Sequence, residues 1–94
     1  MKVLRTNRMM EPCTEGGYIG HYFHLDTAIS AEFVESLVVH GSLTFMQNLK
    51  KPFFLLRGEG LVIRGQVGDN FCKVGISGND PAIFETAQKI IEKQ

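Results

Sequence analysis

Two histidines are the side chains of this chain best suited to metal binding. His21 and His24 stand three residues apart in the aromatic segment HYFH. The acidic and thiol side chains that could complete a metal site are Glu11, Cys13, Glu15 and Cys72. Histidines at this spacing can share one ion on a helix, but on a strand they point to opposite faces. Because the segment alternates like a strand, the sequence predicts no metal; His21 should lie at the core edge with a hydrogen-bond partner and His24 near the sheet surface.

The two cysteines have no base in a recognisable catalytic arrangement. Cys72 belongs to an alternating apolar segment, which predicts a buried thiol, whereas Cys13 falls in an expected loop. A Cys13–His21 or a Cys72–His24 nucleophile pair stays open as an alternative. The cysteines are far apart and form no C-x-x-C motif, which favours two reduced thiols in a cytoplasmic protein. The sequence therefore favours a protein that is not an enzyme and has no cofactor.

Glycines punctuate the segment from residue 58 to residue 78. Its G-E-G-L-V-I-R-G stretch has neither the lysine nor the following helix of a phosphate-binding loop, which favours a hairpin. Gly65 and Gly75 are expected inside strands, where the missing side chain leaves a gap. A bulge, an aromatic neighbour or a ligand could lie over such a gap.

The first predicted elements are a strand and a helix. Alternation predicts a strand from Tyr18 to Leu25, and apolar residues at helical spacing predict a helix that follows it. Asp26 and Thr27 offer oxygens that could cap the start of this helix. Gly41 is expected to end the helix in the left-handed conformation.

Four further strands and a second helix are predicted after Gly41. The strands cover 42–46, 53–56, 61–67 and 71–76, separated by turn residues, and form a meander. Asp80 and Pro81 are typical of a helix start, and an apolar stripe follows them. Residues 1–16 are expected to form an N-terminal segment, with a possible edge strand followed by a loop. Residues 17–94 are expected to form a single α+β domain.

This order predicts a two-layer α+β sandwich. An antiparallel sheet of about five strands, in the chain order β-α-β-β-β-β-α, would carry both helices on one face. The possible N-terminal edge strand would be added to it. Alternation then leaves aromatic, aliphatic and basic residues on the helix-free face. The doubly apolar segment 53–56 must contribute to that face through Phe53 or Phe54 and through Leu55 or Leu56.

The helix-free face is the predicted binding surface. Its candidate ligand or interface residues are Tyr18, Tyr22, His24, Phe54, Leu56, Arg64, Phe71 and Lys73. Such a face could pair with a second copy, bind a small molecule or stack single-stranded bases. Self-association is favoured, because exposed apolar patches often mark protein–protein interfaces and dimers are the commonest symmetric assemblies.

Length and charge limit the function classes further. The chain has 94 residues, with ten basic and ten acidic side chains. This balance provides no strong field for phosphate, so nucleic acid is disfavoured as a partner. No apolar run approaches the roughly 18 residues that a membrane span needs. The sequence therefore predicts a small cytoplasmic binding or assembly domain, a homodimer through its open sheet face or an edge strand, with small-molecule binding as the alternative.

Overall fold

The part of the chain that the structure describes contains a six-stranded antiparallel sheet. The structure is a computed structural model and describes residues 1–9, 18–78 and 80–93. The strands are β1 (Val3–Arg8), β2 (Tyr18–Leu25), β3 (Ser42–Met46), β4 (Phe53–Gly58), β5 (Leu61–Gln66) and β6 (Phe71–Ser77). The expected loop that contains Cys13 lies outside the described residues.

The strands lie side by side in the order β1-β2-β6-β5-β4-β3. Every neighbouring pair is antiparallel, so the predicted α+β class with an antiparallel sheet is confirmed. The described residues hold six strands instead of about five, because the possible N-terminal edge strand forms as β1. The sheet therefore has two different edges, β1 and β3.

The first helix is shorter than predicted and begins later. Helix α1 (Ala31–Ser36) continues into a 3-10 turn (Leu37–His40). Its cap is Ser30, whose Oγ accepts a hydrogen bond from the Phe33 N–H at 3.1 Å. The expected cap at Asp26 is wrong, because the Asp26 carboxylate accepts the Lys2 N–H at 2.8 Å instead. Asp26 therefore fixes the chain just before β1.

Gly41 ends the helical segment for a different reason from the one expected. Its φ of 161° is extended backbone and not the left-handed conformation. A Cβ at this position would collide with the backbone carbonyl of Arg57 on β4. Close approach of two backbones, and not a left-handed turn, is what glycine permits here.

The second helix, α2 (Pro81–Glu92), begins where the sequence predicts. The Asp80 carboxylate accepts the Ala82 N–H at 2.9 Å, and Pro81 occupies the first turn. Such a cap stabilises a helix by about 1 kcal/mol. Its apolar stripe turns towards the sheet and buries Ala87, Ile90 and Ile91.

The core lies between one sheet face and the two helices. Phe33 of α1 meets Phe54 of β4 with ring centroids 6.4 Å apart, and Phe84 of α2 meets Phe23 of β2 at 5.2 Å. Each fully buried side chain of this size contributes about 1.5–3 kcal/mol. Both helices therefore cover the same face, as predicted. No helix of the described residues covers the other face, which is called the open face below.

Candidate functional site

Six of the candidate residues lie on the open face. Cross-strand partners share a face, and the residues of β2, β5 and β6 that belong to the hydrophobic core cluster mark the opposite, helix-covered face. The candidates left on the open face by this alternation are Tyr18, Tyr22, His24, Arg64, Phe71 and Lys73. They come from three adjacent strands in the middle of the sheet. The structure thus brings together most of the residues that the sequence singles out.

The placement of Phe54 and Leu56 on the open face is wrong. Both side chains are fully buried at 0% exposure in the core. Their half-buried neighbours Phe53 and Leu55 take the open-face positions of β4. Strand register determines which face each side chain takes, because Leu56 pairs with Ile63, a core residue of β5. The sequence could not choose between the two phases, since both are apolar.

Two cations stand side by side at the centre of the open face. Arg64 of β5 is paired directly with Lys73 of β6, and Lys73 is paired on its other side with Tyr22. The Lys73 ammonium lies 6.0 Å from the centroid of the Tyr22 ring. Among the described residues, neither cation forms an ion pair. Opposed like charges destabilise a sheet, so this pair is a local cost to the fold.

A glycine-floored depression lies on one side of the basic pair. Gly20 and Gly75 are opposite each other on β2 and β6. A Cβ at Gly75 would sit 3.5 Å from Tyr18, and one at Gly20 would meet the Met9 sulfur, so both gaps have a covering side chain. Of the three alternatives for the strand glycines, the structure shows an aromatic neighbour, which is Tyr18 at Gly75 and Phe54 at Gly65. Cover by neighbouring side chains leaves this depression shallow.

A second depression lies on the other side of the basic pair and is walled by two phenylalanines. Phe53 of β4 and Phe71 of β6 line it, with Gln66 of β5 between them. Arg64 and Lys73 form one of its sides. Asp69 is at its rim, 2.9 Å from Lys51 and thus already paired. Of the side chains that line it, Phe53 was left open by the sequence as the alternative to Phe54, and Gln66 was not among the candidate residues.

The two edges of the sheet carry different side chains. β1 has Arg5 and Arg8, and its pairing with β2 shifts register between Val3 and Arg5. Charges and bulges of this kind protect an edge from pairing with another chain. β3 reads SLTFM, with no charge and no proline, and pairs with β4 without any shift in register. Its outer edge therefore has none of these protections.

Exposed apolar side chains cluster around the β3 edge. The 3-10 turn packs on β3 and β4 and carries Val38 at 58% and Val39 at 78% exposure. Met46 at 50% and Leu49 at 48% exposure lie at the other end of the strand. These are four of the five large exposed apolar residues among those described. The run of uncharged residues from Leu37 to Leu49, broken only by His40, is the sequence signal that could have identified this edge.

The two histidines lie on opposite faces, as their spacing predicts. His24 Nε2 donates to the Asn7 side-chain oxygen at 2.7 Å on the open face. His21 is buried, and its Nε2 has no hydrogen-bond partner among the described residues, so the partner expected for His21 is not found at this ring nitrogen. Burial, and secondarily the positive charge of Arg8, lowers the pKa of His21. No group of three or more metal-ligating side chains occurs among residues 1–9, 18–78 and 80–93.

Cys72 is a core residue, as its alternation predicts. It is a free thiol with 0% exposure, and desolvation raises its pKa to about 12. A thiol in this environment stays protonated and is a poor nucleophile at neutral pH. His24 lies on the other face of the sheet, so the alternative of a Cys72–His24 pair is wrong.

Comparisons with protein-family models, with curated proteins and with solved structures found no match to this chain. In the described parts of the chain, no helix is long and apolar enough to span a lipid bilayer.

Proposed function

We propose that this chain is a noncatalytic assembly domain that forms a homodimer through its edge strand β3. The observation that carries the proposal is the contrast between the two sheet edges. β1 is charged and irregular, whereas β3 is uncharged, regular and surrounded by exposed apolar side chains. Edges without charge, proline or bulge are templates for pairing with another strand.

The sequence of β3 suits antiparallel pairing with a second copy of itself. The longest self-register of Ser42–Met46 is centred on Thr44. In that register Leu43 is opposite Phe45 of the second copy on the helix side, where both are half-buried in the monomer. An aromatic residue opposite an aliphatic one is a favourable cross-strand pair. Pairing would therefore extend the sheet and bury apolar side chains together.

Symmetry brings the 3-10 turns into the same interface. A two-fold axis that passes midway between the two Thr44 residues, perpendicular to the sheet, keeps the helix layers of both copies on the same side of the extended sheet. Because Ser42 of one copy then lies opposite Met46 of the other, the exposed Val38 and Val39 that precede β3 would lie towards the Met46 end of the other copy's strand. This contact adds apolar area to a strand pair that is only five residues long. Standard interfaces bury about 800 Å² on each partner. We expect this short interface to bury less and its dissociation constant to be micromolar.

Dimerisation through the open face is less favourable on electrostatic grounds. A two-fold axis through the centre of that face would bring the Arg64–Lys73 pair of each copy close to the same cations of the other. Like charges opposed across an interface cost affinity. Edge pairing leaves the basic pair in solvent and avoids this cost.

The free thiol of Cys72 suits the reducing cytoplasm as the site of assembly.

Sedimentation of Thr44→Lys against Thr6→Lys tests the proposal. Thr44 and Thr6 are exposed residues on the two opposite edge strands, so the same substitution is compared at both edges. T44K places lysines opposite each other and should weaken dimerisation at least about fivefold. T6K should dimerise like the wild type. A monomeric wild-type protein, or equal weakening by both substitutions, contradicts the proposal.

A mixture of two charge variants separates pairing from misfolding. T44K and Thr44→Glu should each favour the monomer, because each opposes like charges at the axis. Mixed together, they should form a heterodimer with lysine opposite glutamate. Failure of the mixture to associate, when both variants keep the wild-type unfolding midpoint, would contradict the Thr44-centred register.

A further inference from the structure

We infer that the open face binds a small planar aromatic anion, with Arg64 and Lys73 holding the anionic group and Phe53 and Phe71 contacting the ring. This site is separate from the β3 edge, and its test does not depend on dimerisation. It assigns a ligand class to the phenylalanine-walled depression beside the basic pair.

The basic pair needs an explanation that the fold does not supply. Arg64 and Lys73 occupy directly opposed positions on neighbouring strands, where like charges repel. No described carboxylate pairs with either of them, and the nearby Asp69 is paired with Lys51. Both side chains are half-buried, which limits their hydration. An anion between them would relieve the repulsion and gain two charge-assisted hydrogen bonds.

The side chains that line the depression beside the basic pair indicate that the ligand also has an aromatic ring. Phe53 and Phe71 flank Gln66 across three adjacent strands, with the basic pair in the next row of residues. Phe71 is held edge to face against Tyr22, with ring centroids 6.2 Å apart. A flat ring can pack on Phe53 or Phe71 while the Gln66 amide hydrogen-bonds to a polar ring substituent. Ring and charge are therefore recognised side by side.

The compactness of the basic pair favours a small molecule over a single-stranded nucleic acid. A polyanion is bound by cations that follow its backbone over several phosphates. Here the two cations are direct cross-strand partners on the open face, which also carries Tyr18, Tyr22, Phe53 and Phe71. One anionic group is enough to neutralise such a pair of cations.

Amide chemical-shift titrations with three probes test the inference. Phenyl phosphate carries ring and charge, inorganic phosphate carries charge alone, and benzyl alcohol carries the ring alone. Phenyl phosphate should shift the amides of β4, β5 and β6 around the depression and bind at least about tenfold more tightly than either other probe. Equal affinity of phenyl phosphate and inorganic phosphate would overturn the ring contact.

Substitutions assign the binding to the named side chains. Lys73→Gln and Arg64→Gln should each weaken phenyl phosphate binding about tenfold, whereas Lys89→Gln, an exposed charge loss on α2, should leave it unchanged. Phe71→Leu should weaken phenyl phosphate but not inorganic phosphate. The unfolding midpoint of K73Q should equal or exceed that of the wild type, because one repulsion is removed. Unchanged binding in K73Q and R64Q would overturn the inference.

Competition with an oligothymidine separates the two ligand classes. Phenyl phosphate binding should weaken only modestly with salt, as expected for one anionic group. An oligothymidine could displace phenyl phosphate, bind more tightly and show a steep salt dependence. That result would overturn the inference and identify a nucleic acid as the ligand of the open face. No displacement by the oligothymidine supports the small anion.

Discussion

The imidazole of His21 meets the ring of Phe84 edge to face, with the centroids 5.1 Å apart and the planes at 80°. This contact joins β2 to α2 at the margin of the core, beside Arg8 of β1. Protonation of the ring would place a charge in a buried position next to a guanidinium. Burial first, and Arg8 second, therefore lower the pKa of His21 from its ordinary 6.5.

This depressed pKa predicts a loss of stability in mild acid. Well above pH 6.5 His21 is neutral in both the folded and the unfolded state and contributes no pH dependence. As the pH falls below 6.5, the unfolded chain takes up the proton first, so the free energy of unfolding falls until the folded-state pKa is passed. The limiting slope is about 1.4 kcal/mol per pH unit.

His21→Phe should remove this part of the pH dependence. Phenylalanine keeps the ring contact with Phe84 and cannot be protonated. Urea unfolding of the variant should therefore give a flatter profile below pH 6.5. Tyr22→Phe, a ring change at the next position of the same strand, should keep the wild-type slope. An unchanged slope in H21F would mean that another group carries the titration.

Gly65→Ala and Gly75→Ala should have opposite outcomes. A methyl group at Gly65 would lie 3.1 Å from the Phe54 ring and 3.4 Å from Ile29, inside a packed core. Overpacking of this kind costs about 1–3 kcal/mol. A methyl group at Gly75 would make an ordinary 3.5 Å contact with Tyr18 on the open face. Thermal unfolding should show a lower midpoint for G65A and an unchanged or higher one for G75A; equal losses would contradict the packing around Gly65.

Cys72 should be protected from alkylation until the protein unfolds. Its thiol is fully buried, and its pKa is raised to about 12 by desolvation. In a Cys13→Ser background, iodoacetamide should leave Cys72 unmodified in buffer and modify it readily in concentrated urea. Mass spectrometry of the intact chain measures both rates. Comparable rates in buffer and in urea would show that the core around Cys72 opens easily.

Strict alternation made β2 readable from the sequence, whereas β4 could not be oriented. In β2 the apolar Ile19, Phe23 and Leu25 stand at alternate positions, with His21 as the one polar residue in that row, so the open-face positions of Tyr22 and His24 follow from the pattern. In β4 four apolar residues follow one another, and only pairing of Leu56 with Ile63 selects the buried phase. Tertiary register therefore supplies what the local pattern lacks.

The start of the first helix shows a competition between local and distant partners. The oxygens of Asp26 suit a helix cap, and the sequence alone offers no reason to reject that role. In the fold the Asp26 carboxylate accepts the Lys2 N–H, and Ser30 caps α1. A donor twenty-four positions earlier in the chain cannot be seen in a local pattern. The same limit hides the contrast between the sheet edges, which depends on strand order.

The pairing of β2 with β6 costs more loop-closure entropy than the pairing of the other neighbouring strands from β3 to β6. β3, β4, β5 and β6 follow one another as neighbours and can form as successive hairpins, each closing a short loop. The β2–β6 ladder joins Ile19 to Ile76, so it pairs segments that are much further apart in the chain. Loop-closure entropy grows with the length enclosed, and pairings between distant segments slow folding. The meander is therefore expected to assemble early, and the union of β2 with β6 to set the height of the folding barrier.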